Sequence, residues 1–445
     1  MYKFLIFLCL IFPLNGNDNL PTPTPKEDVI ISGATIHPIT SESFLGDLYI
    51  TKGKISRLVK KSDSSKSKIV KPVKIINCEG LHVYPGMIAS NSVLGLTEIR
   101  AVRATRDMIE TGVINPNVRA EVAINPDSEL FPVTRSNGVL HALSVPQSNG
   151  LIAGRSALMS LDGWTWEDMV LKSSVGMHIR WPLVPDAEKA TNSKQKEDLQ
   201  KRSKNALTQL KKIKDSFLKA RAYHKAREDK KVPDKTDLRW EAMKPVLDGR
   251  MPVFVHVNKI SGIRSAVQFS VQENIKIVIV GGSDAWRAVP LLKKNDIPVI
   301  VSPVNSLPSR RWEDYDTPMR NPLKLLNGGV RFCIAGPGGS MDAPHERNLP
   351  YQAARAAAFG LPKDEALKAV TLYPAQILGV SDRVGSLEVG KDASLIVTNG
   401  DPLEVTTDVR MAYIQGSSID LSNKQTRLYE KYKEKYRQLN LKKSD

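Results

Sequence analysis

The spacing of apolar and polar residues divides the chain into regions of different periodicity. Between residues 28 and 83, short apolar runs are separated by Gly and turn residues, which predicts a small antiparallel β unit. From residue 86 onward, longer apolar runs alternate with helical stretches, a pattern typical of a parallel α/β barrel. Near residue 384 the short-strand pattern returns. We therefore predict an α/β fold in which a barrel is inserted into a small β-sandwich built from both chain ends.

Seven apolar runs of the central region are predicted to be strands of the barrel. They lie at 87–94, 138–145, 175–179, 252–257, 275–280, 297–301 and 330–335. A closed barrel of this kind has eight strands, so one more is needed. The weakly patterned stretch at 113–124 is our prediction for the missing strand.

The first residues of the chain follow another pattern. Lys3 precedes an apolar run at 4–14, and small or polar residues come after it. Because this run is too short for a stable membrane span, residues 1–16 are predicted to be a secretory signal peptide, with a retained N-terminal anchor as the alternative. Export would lead to the periplasm or the extracellular space. Residues 17–27 contain three prolines and form a predicted exposed linker.

The remaining segment boundaries follow from the same changes of pattern. They are the N-terminal part of the β-sandwich at 28–85, the barrel at 86–380 with a helical insert at 190–231, the C-terminal part of the β-sandwich at 381–420, and a charged helical tail at 421–445. In the insert, apolar residues recur at helical spacing among lysines, which predicts a helix packed on the barrel's exterior or over its mouth. These apolar residues are Leu207, Leu210, Ile213 and Phe217.

The formal net charge is +17, and much of it lies in the Lys-rich insert and tail. Such a charge favours nucleic acid, an anionic envelope surface or an acidic substrate. No aromatic-rich stacking motif or zinc-finger spacing accompanies the lysines, so we predict no nucleic-acid binding. The predicted partners are a small-molecule substrate and, peripherally, an anionic envelope surface. The sequence leaves the oligomeric state open.

Three cysteines are too few and too scattered for a disulfide framework. Cys9 lies in the predicted signal peptide, whereas Cys78 and Cys333 lie in separate strand-like segments. A free, buried thiol is therefore predicted at each of the last two positions.

Three blocks of sequence carry a resemblance to a known family. A Pro85-Gly86 turn leads into the predicted strand at 87–94, and the strand-like block at 251–257 contains a histidine at its penultimate position. The third and most specific block runs from 348 to 397 and contains several Gly-bracketed turns. Together these blocks resemble imidazolonepropionase-like members of the amidohydrolase superfamily. The resemblance covers residues 28 to 417 and implies a TIM-type (β/α)8 barrel.

The resemblance also implies a metal site, from which this sequence departs. Members of the superfamily use His-x-His on strand one, a ligand on strand four, histidines on strands five and six, and an aspartate on strand eight; the metal activates a water molecule. Here Asn91 and Val93 occupy the places of the His-x-His pair, a Gly-Gly pair at 281–282 occupies the strand-six position, and Pro337 lies near the aspartate position. His256 on strand five is retained.

Two histidines and an aspartate form the predicted metal site. His178 falls on the predicted fourth strand, and with His256 and Asp284, or alternatively Asp342, it would bind one divalent transition metal such as Zn²⁺. The competing interpretation is that the two buried histidines are simply hydrogen-bonded and that no metal is bound.

The loop after the eighth predicted strand supplies candidates for acid–base chemistry. Asp342 and His345 lie three residues apart there and are a hypothetical acid–base pair, although charge clusters are also common on ordinary loops. Glu98, just after the first barrel strand, is the next catalytic candidate.

Two functions are compatible with these features. The first is an exported hydrolase of non-peptide C–N bonds that acts on a cyclic amide or a related small molecule. The alternative is a metal-free pseudoenzyme that acts as a binding protein at the cell envelope. The fold alone does not decide between them, because barrels support many reactions.

Overall fold

A computed structural model describes residues 20–23, 27–63, 73–148, 150–185, 192–229 and 236–439. The predicted signal peptide, the ends of the helical insert and the last six residues of the predicted tail lie outside the described residues, as does most of the predicted linker. None of the helices in the described part is both long and apolar enough to cross a membrane.

Sixteen strands are present among the described residues. They are β1 (Asp28–Ile36), β2 (Phe44–Thr51), β3 (Lys54–Lys60), β4 (Val73–Asn77), β5 (His82–Pro85), β6 (Met87–Ser92), β7 (Val139–Ser144), β8 (Ile152–Ser160), β9 (Val170–Arg180), β10 (Val253–Val257), β11 (Ile277–Gly281), β12 (Val299–Val301), β13 (Phe332–Ile334), β14 (Leu395–Thr398), β15 (Val409–Ile414) and β16 (Ser417–Ser418).

Eleven α-helices accompany these strands in the described part of the chain. They are α1 (Leu130–Arg135), α2 (Trp166–Met169), α3 (Ser193–Glu228), α4 (Leu238–Leu247), α5 (Ile260–Glu273), α6 (Val289–Lys294), α7 (Thr317–Asn327), α8 (Leu349–Ala358), α9 (Lys363–Lys368), α10 (Leu372–Leu378) and α11 (Lys424–Gln438). Short 3-10 helices lie at Lys61–Asp63, Arg103–Thr105, Ala120–Ala123, Ala285–Arg287 and Ala343–Asn348.

Strands β6 to β13 form one eight-stranded sheet in the order of the sequence. Residues on alternate positions face two different cores, as β10 illustrates. Phe254 joins the apolar cluster of the barrel interior, whereas Val253 and Val255 join the cluster between the barrel and its helices. Because both faces of the strand are buried, its sequence is almost continuously apolar.

A second sheet is built from both ends of the chain. Its order is β16-β15-β14-β5-β1-β2-β3, with β4 paired to β1, and it has its own apolar core. The predicted fold class is therefore confirmed: a nearly closed eight-stranded barrel accompanies a separate sheet that both ends of the chain share. The free, buried thiols predicted at Cys78 and Cys333 are also confirmed.

The prediction that the eighth strand lies at 113–124 is wrong. The missing strand is β8, which pairs antiparallel with both β7 and β9, whereas 113–124 contributes only isolated bridges and a 3-10 turn. The connections at 145–151 and 161–169 are shorter than the dozen or more residues that a parallel crossover needs, so β8 has to run in reverse. At Gly154 a β-carbon would lie 2.8 Å from the carbonyl oxygen of Val118, so this glycine permits the close approach of the 113–124 segment.

The helical insert forms α3 and packs on the outside of the barrel. Phe217 is fully buried, and its ring meets the edge of Phe269 of α5 at a centroid distance of 5.1 Å. Ile213 is buried beside it, but Leu207 is 55% exposed. The predicted apolar stripe was therefore wrong at Leu207, because the buried face continues through Ala206 instead.

Truncation of Phe217 tests how strongly α3 is anchored to the barrel. Phe217→Ala should lower the free energy of unfolding by about 3–5 kcal/mol, because it removes a fully buried ring and leaves a cavity. Leu218→Ala is the matched control: Leu218 is the next residue of the same helix and is 67% exposed, so the change should stay within about 0.5 kcal/mol. Urea unfolding followed by circular dichroism measures both, and equal effects of the two variants would contradict the packing described here.

Candidate functional site

The carboxyl ends of the parallel barrel strands meet at one end of the barrel, which we call the mouth. Asn91 lies at the end of β6, His178 near the end of β9, His256 near the end of β10, and Ser302 directly after β12. In barrels of this architecture the functional groups are found at this end, because the loops that follow the strands converge there.

The most distinctive feature of the mouth is a pair of imidazoles on neighbouring strands. The Nδ1 of His178 and the Nε2 of His256 lie 2.9 Å apart, so that one of them donates a hydrogen bond to the other. His178 also stacks on Phe254, with ring centroids 4.8 Å apart. It is 1% exposed, and its Nε2 has no hydrogen-bond partner.

Burial keeps both imidazoles neutral. Loss of solvent, assisted by the positive charge of Arg180, lowers the pKa of His256 to about 3. Burial, followed by the effects of His256 and Arg180, holds the pKa of His178 well below its usual range. Neutral imidazoles of this kind can hydrogen-bond or bind a metal, but they are weak bases at pH 7.

A loop after β13 is tied down over the mouth. The side-chain amide of Asn91 donates hydrogen bonds to the hydroxyl of Ser302 at 3.2 Å and to the carbonyl of Pro337 at 3.4 Å. The hydroxyl of Ser302 in turn donates to the carbonyl of Gly336. The residues at the strand-one and strand-eight positions of the family's metal site thus form a hydrogen-bonded network here.

A second set of hydrogen bonds connects this loop with Arg180 at the end of β9, the strand that carries His178. Gln147 donates through Nε2 to the carbonyl of Gly338 at 3.1 Å, and Arg180 donates to the side-chain carbonyl of Gln147. Gly338 has a φ of 76°, and a β-carbon there would lie 2.2 Å from Nδ2 of Asn91. Only glycine therefore fits at this point of the loop.

Glu346 is a candidate functional residue that the sequence did not reveal. Its side chain is 2% exposed, and neither carboxyl oxygen has a hydrogen-bond partner. Burial raises its pKa to about 8. The nearby hydroxyl of Ser92, which does not meet hydrogen-bond geometry with either carboxyl oxygen, offsets part of the rise, and Asp342 adds to it. Glu346 is therefore mostly a neutral acid at pH 7. The available signal was its position three residues after Ala343, on the same buried face of a 3-10 helix.

The described residues do not fit a metal centre of the family type. Tetrahedral zinc sites need four ligands, of which the protein supplies three or four. Among the residues that the structure describes, no group of three or more His, Cys, Asp or Glu side chains is arranged to hold a metal ion. His178 and His256 lie together, but no third ligand of this kind from the described part of the chain joins them.

Asp284, the third predicted ligand, has a structural role instead. Its carboxylate accepts hydrogen bonds from Nη1 of Arg310 at 2.7 Å and from the backbone N–H of Ile260 at 2.9 Å. It therefore fixes the first turn of α5 and pairs with Arg310. The described residues do not group it with the two histidines around a metal position, and its role as a metal ligand stays a prediction.

The structure does not assemble the predicted acid–base pair of the last loop. The carboxylate of Asp342 accepts a hydrogen bond from the backbone N–H of Gly339 at 3.1 Å. The exposed ring of His345 is hydrogen-bonded through Nδ1 to the carbonyl of Met341 at 3.1 Å. The two side chains thus have separate partners.

Glu98 lies apart from these groups, against the loop at 125–129. Burial raises the pKa of its carboxyl, while Ser128 and Asn125 of that loop oppose the rise. One carboxyl oxygen has no hydrogen-bond partner. Its contacts connect it with this loop, and its catalytic role stays a prediction.

Comparison with known proteins identifies relatives of this chain. A family profile described as "Amidohydrolase family" matches residues 316–425, which include the whole block at 348–397 noted in the sequence. The crystal structure of an amidohydrolase from Thermotoga maritima MSB8 superposes with a TM-score of 0.76 and 26% sequence identity. The alignment covers 88% of this chain and 99% of that protein.

Two curated proteins are similar at lower identity. Amidohydrolase tasK of Hapsidospora irregularis is 22% identical over 413 residues, which cover 84% of this chain and 40% of tasK. An imidazolonepropionase of Brucella anthropi is 25% identical over 148 residues, 33% of this chain and 35% of that protein. The chain thus spans well under half the length of either relative.

Replacement of Glu346 by glutamine should change how stability depends on pH. Between pH 4.5, the ordinary pKa of the group, and about 8, the folded protein keeps a proton that the unfolded chain releases. Because the folded protein holds this extra proton, its free energy of unfolding falls by up to about 1.4 kcal/mol for each unit that the pH rises in this range. Glu346→Gln removes that contribution, so the variant should gain stability relative to the wild type from pH 5 to 8, with no further gain above pH 8.5.

Urea unfolding at five pH values between 5 and 9 measures the difference, and the contributions of the two histidines cancel because both proteins contain them. Glu430→Gln, at an exposed position of α11, is the control and should show a constant difference. Parallel curves for wild type and Glu346→Gln would show that Glu346 ionises normally.

Proposed function

We propose that this chain, which is similar to amidohydrolases, hydrolyses a non-peptide C–N bond in a small molecule bound at the barrel mouth. The proposed substrate class is a cyclic amide or a related compound. The likeness to a protein named imidazolonepropionase supports this class, although the alignment covers only a third of the chain.

The observation that carries the proposal is a set of buried polar atoms without partners at the mouth. These atoms are Nε2 of His178 and both carboxyl oxygens of Glu346. Each buried polar atom without a partner costs about 1–3 kcal/mol, so a ligand that supplies the missing hydrogen bonds recovers this free energy. Strongly shifted pKa values, such as those of His178 and Glu346, are also typical of functional sites.

Glu346 supplies the acid of the proposed reaction. With a pKa of about 8 it carries a proton near neutral pH, and it donates this proton to the nitrogen as the C–N bond breaks. The attacking water gives its hydroxyl to the carbon and its remaining proton to the Glu346 carboxylate, which restores the acid. The net reaction adds OH to carbon and H to nitrogen. No step passes through a metal, because the described donor set does not fit one.

The neutral His178 serves the same reaction as a hydrogen-bonding group. In the tautomer that carries its proton on Nε2, it donates to the oxygen of the substrate carbonyl and polarises that bond. His256 fixes this tautomer by holding Nδ1 of His178 at 2.9 Å.

Export is part of the proposal and is supported by sequence alone. Lys3 and the apolar run at 4–14 have the order and length of a secretory signal. The hydrolase would then act outside the cytoplasm, on a substrate of the periplasm or the extracellular space.

One observation favours a second candidate, a pseudoenzyme that binds a small molecule without turnover. Asn91, Ser302 and Gln147 hold the loop at 336–338 by side-chain hydrogen bonds across the mouth. Such ties restrict the loop movement that exchange of substrate and product requires. A binding protein at the cell envelope needs no such exchange during a catalytic cycle.

A substrate screen with matched variants distinguishes these functions. The chain from residue 17 onward should turn over at least one member of a panel of lactams, cyclic imides and imidazolones, measured by chromatography. Glu346→Gln should lower kcat/KM by about 100-fold or more, because it removes the proton donor but keeps the shape. Glu197→Gln, at an exposed position of α3, should have no effect.

Calorimetric titration measures whether the chain binds the same compounds. Binding without turnover would contradict the hydrolase and support the pseudoenzyme. Neither binding nor turnover across the panel would contradict both.

Metal analysis tests the donor set independently. After dialysis against a chelator, the purified chain should contain far less than one transition metal per molecule, and its turnover should be unchanged. Elemental mass spectrometry and assays with and without added Zn²⁺ measure this. About one metal per chain in the wild type, lost in His256→Ala, would show that the histidines belong to a metal centre and overturn the metal-free mechanism.

A further inference from the structure

The last helix, α11, is the most exposed helix of the described chain. None of its residues is buried. Its large side chains are exposed to a degree unusual for leucine and tyrosine. The exposed fractions are 41% for Leu428, 64% for Tyr429, 50% for Tyr432, 52% for Tyr436 and 56% for Leu439, the residue directly after the helix.

These five side chains form one stripe along the helix. A helix turns by about 100° per residue, which places all five within a sector of about 100°. We call this sector the tyrosine stripe. Lysines flank it on both sides, and both glutamates of the helix lie on the opposite face. The flanking lysines are Lys424, Lys431 and Lys435 on one side and Lys433 on the other. With six basic and two acidic side chains, the helix has a net charge of +4.

The N-terminal end of α11 is fixed to the rest of the protein, and the tyrosine stripe faces outward. The buried side chain of Asn423 caps the helix by accepting from the backbone N–H groups of Gln425 and Thr426 at 3.0 and 3.1 Å. Arg427 lies 3.7 Å from Glu129 of the body. Arg427 is about 150° around the helix from the centre of the stripe, so the stripe faces away from the body.

We propose that α11 docks the protein on a bilayer that contains anionic phospholipid. The tyrosine stripe lies at the level of the headgroups, where the amphipathic phenol ring is favoured, and the flanking lysines contact lipid phosphates. Each lysine near such a surface contributes about 1 kcal/mol. The lysines are already positioned at the rings: the Nζ atoms of Lys433 and Lys435 lie 5.7 and 5.8 Å from the ring centroids of Tyr429 and Tyr432.

Charge and length favour this occupant over others. A second copy of α11 would bring two faces with excess positive charge together, which is unfavourable. The helix has 15 residues with eight charged side chains, so it lies on a bilayer and does not cross it. The distribution of charge, with the glutamates turned away from the lysine-flanked stripe, matches a flat anionic surface.

Vesicle co-sedimentation of the chain from residue 17 onward tests the proposal. The protein should bind vesicles of 30% phosphatidylglycerol in phosphatidylcholine, release at high salt, and bind pure phosphatidylcholine at least tenfold more weakly. The double variant Tyr432→Ser/Tyr436→Ser should bind the anionic vesicles about tenfold more weakly. The control is Tyr315→Ser, at a tyrosine that is 74% exposed and lies in a loop away from α11, and it should bind as the wild type does.

A charge-matched pair separates a docking helix from a general effect of net charge. Lys433→Gln/Lys435→Gln should weaken binding about tenfold or more, since each lysine contributes about 1 kcal/mol. Lys211→Gln/Lys214→Gln removes the same charge from exposed positions of α3 and should have little effect. Circular dichroism verifies that all variants fold.

Several outcomes would overturn the proposal. The first two are equal losses of vesicle binding in the two double lysine variants, and equal binding of the wild type to neutral and anionic vesicles. The third is a dimer that forms without lipid and is lost in the double tyrosine variant. The fourth is binding to a DNA duplex that depends on the tyrosine stripe, together with no binding to vesicles. None of these measurements uses turnover, so the result is independent of the proposed hydrolysis.

Discussion

The antiparallel pairing of β5 with β14 is the constraint on which the arrangement of the barrel depends. It places Tyr84 opposite Ile396 and joins a strand from the beginning of the chain to one from its end. Only Gly86 separates β5 from β6, and its backbone N–H donates to the carbonyl of Ser394 at 3.0 Å. The first barrel strand therefore starts from a point fixed by both chain ends, and the position of Asn91 at its far end follows from this.

From that fixed strand the polar structure of the mouth can be understood as one network. Asn91 holds the loop after β13, and Gln147 holds the same loop from another side. Arg180 donates to Gln147, and its charge lowers the pKa values of both histidines. Metal ligands are usually anchored by a bound ion, whereas here amides and hydroxyls anchor one another. His178 and Glu346 have atoms that this network leaves without hydrogen-bond partners, and both have strongly shifted pKa values.

The sequence predicted the parts of the fold in which the local pattern and the tertiary environment agree. Seven barrel strands were found because their apolar runs are bounded by turns, but β8 was missed because Gly154, Arg155 and Ser156 interrupt its apolar run. At the site, the two histidines were recognised from their strands. The pairing of Asp284 with Arg310 was not foreseen because the two lie 26 residues apart, and Glu346 was overlooked because its burial arises only from packing against the barrel end.

The reversed direction of β8 has a consequence for how the barrel forms. Strands β7, β8 and β9 make up a continuous meander in which each strand pairs with the next along the chain. Closing the two short loops of a meander costs less entropy than the helical crossovers that join the other strands, because the cost grows with loop length. Contacts of low sequence separation also form faster. This three-stranded segment is therefore the natural nucleus of the barrel, onto which the parallel strands are added from either side.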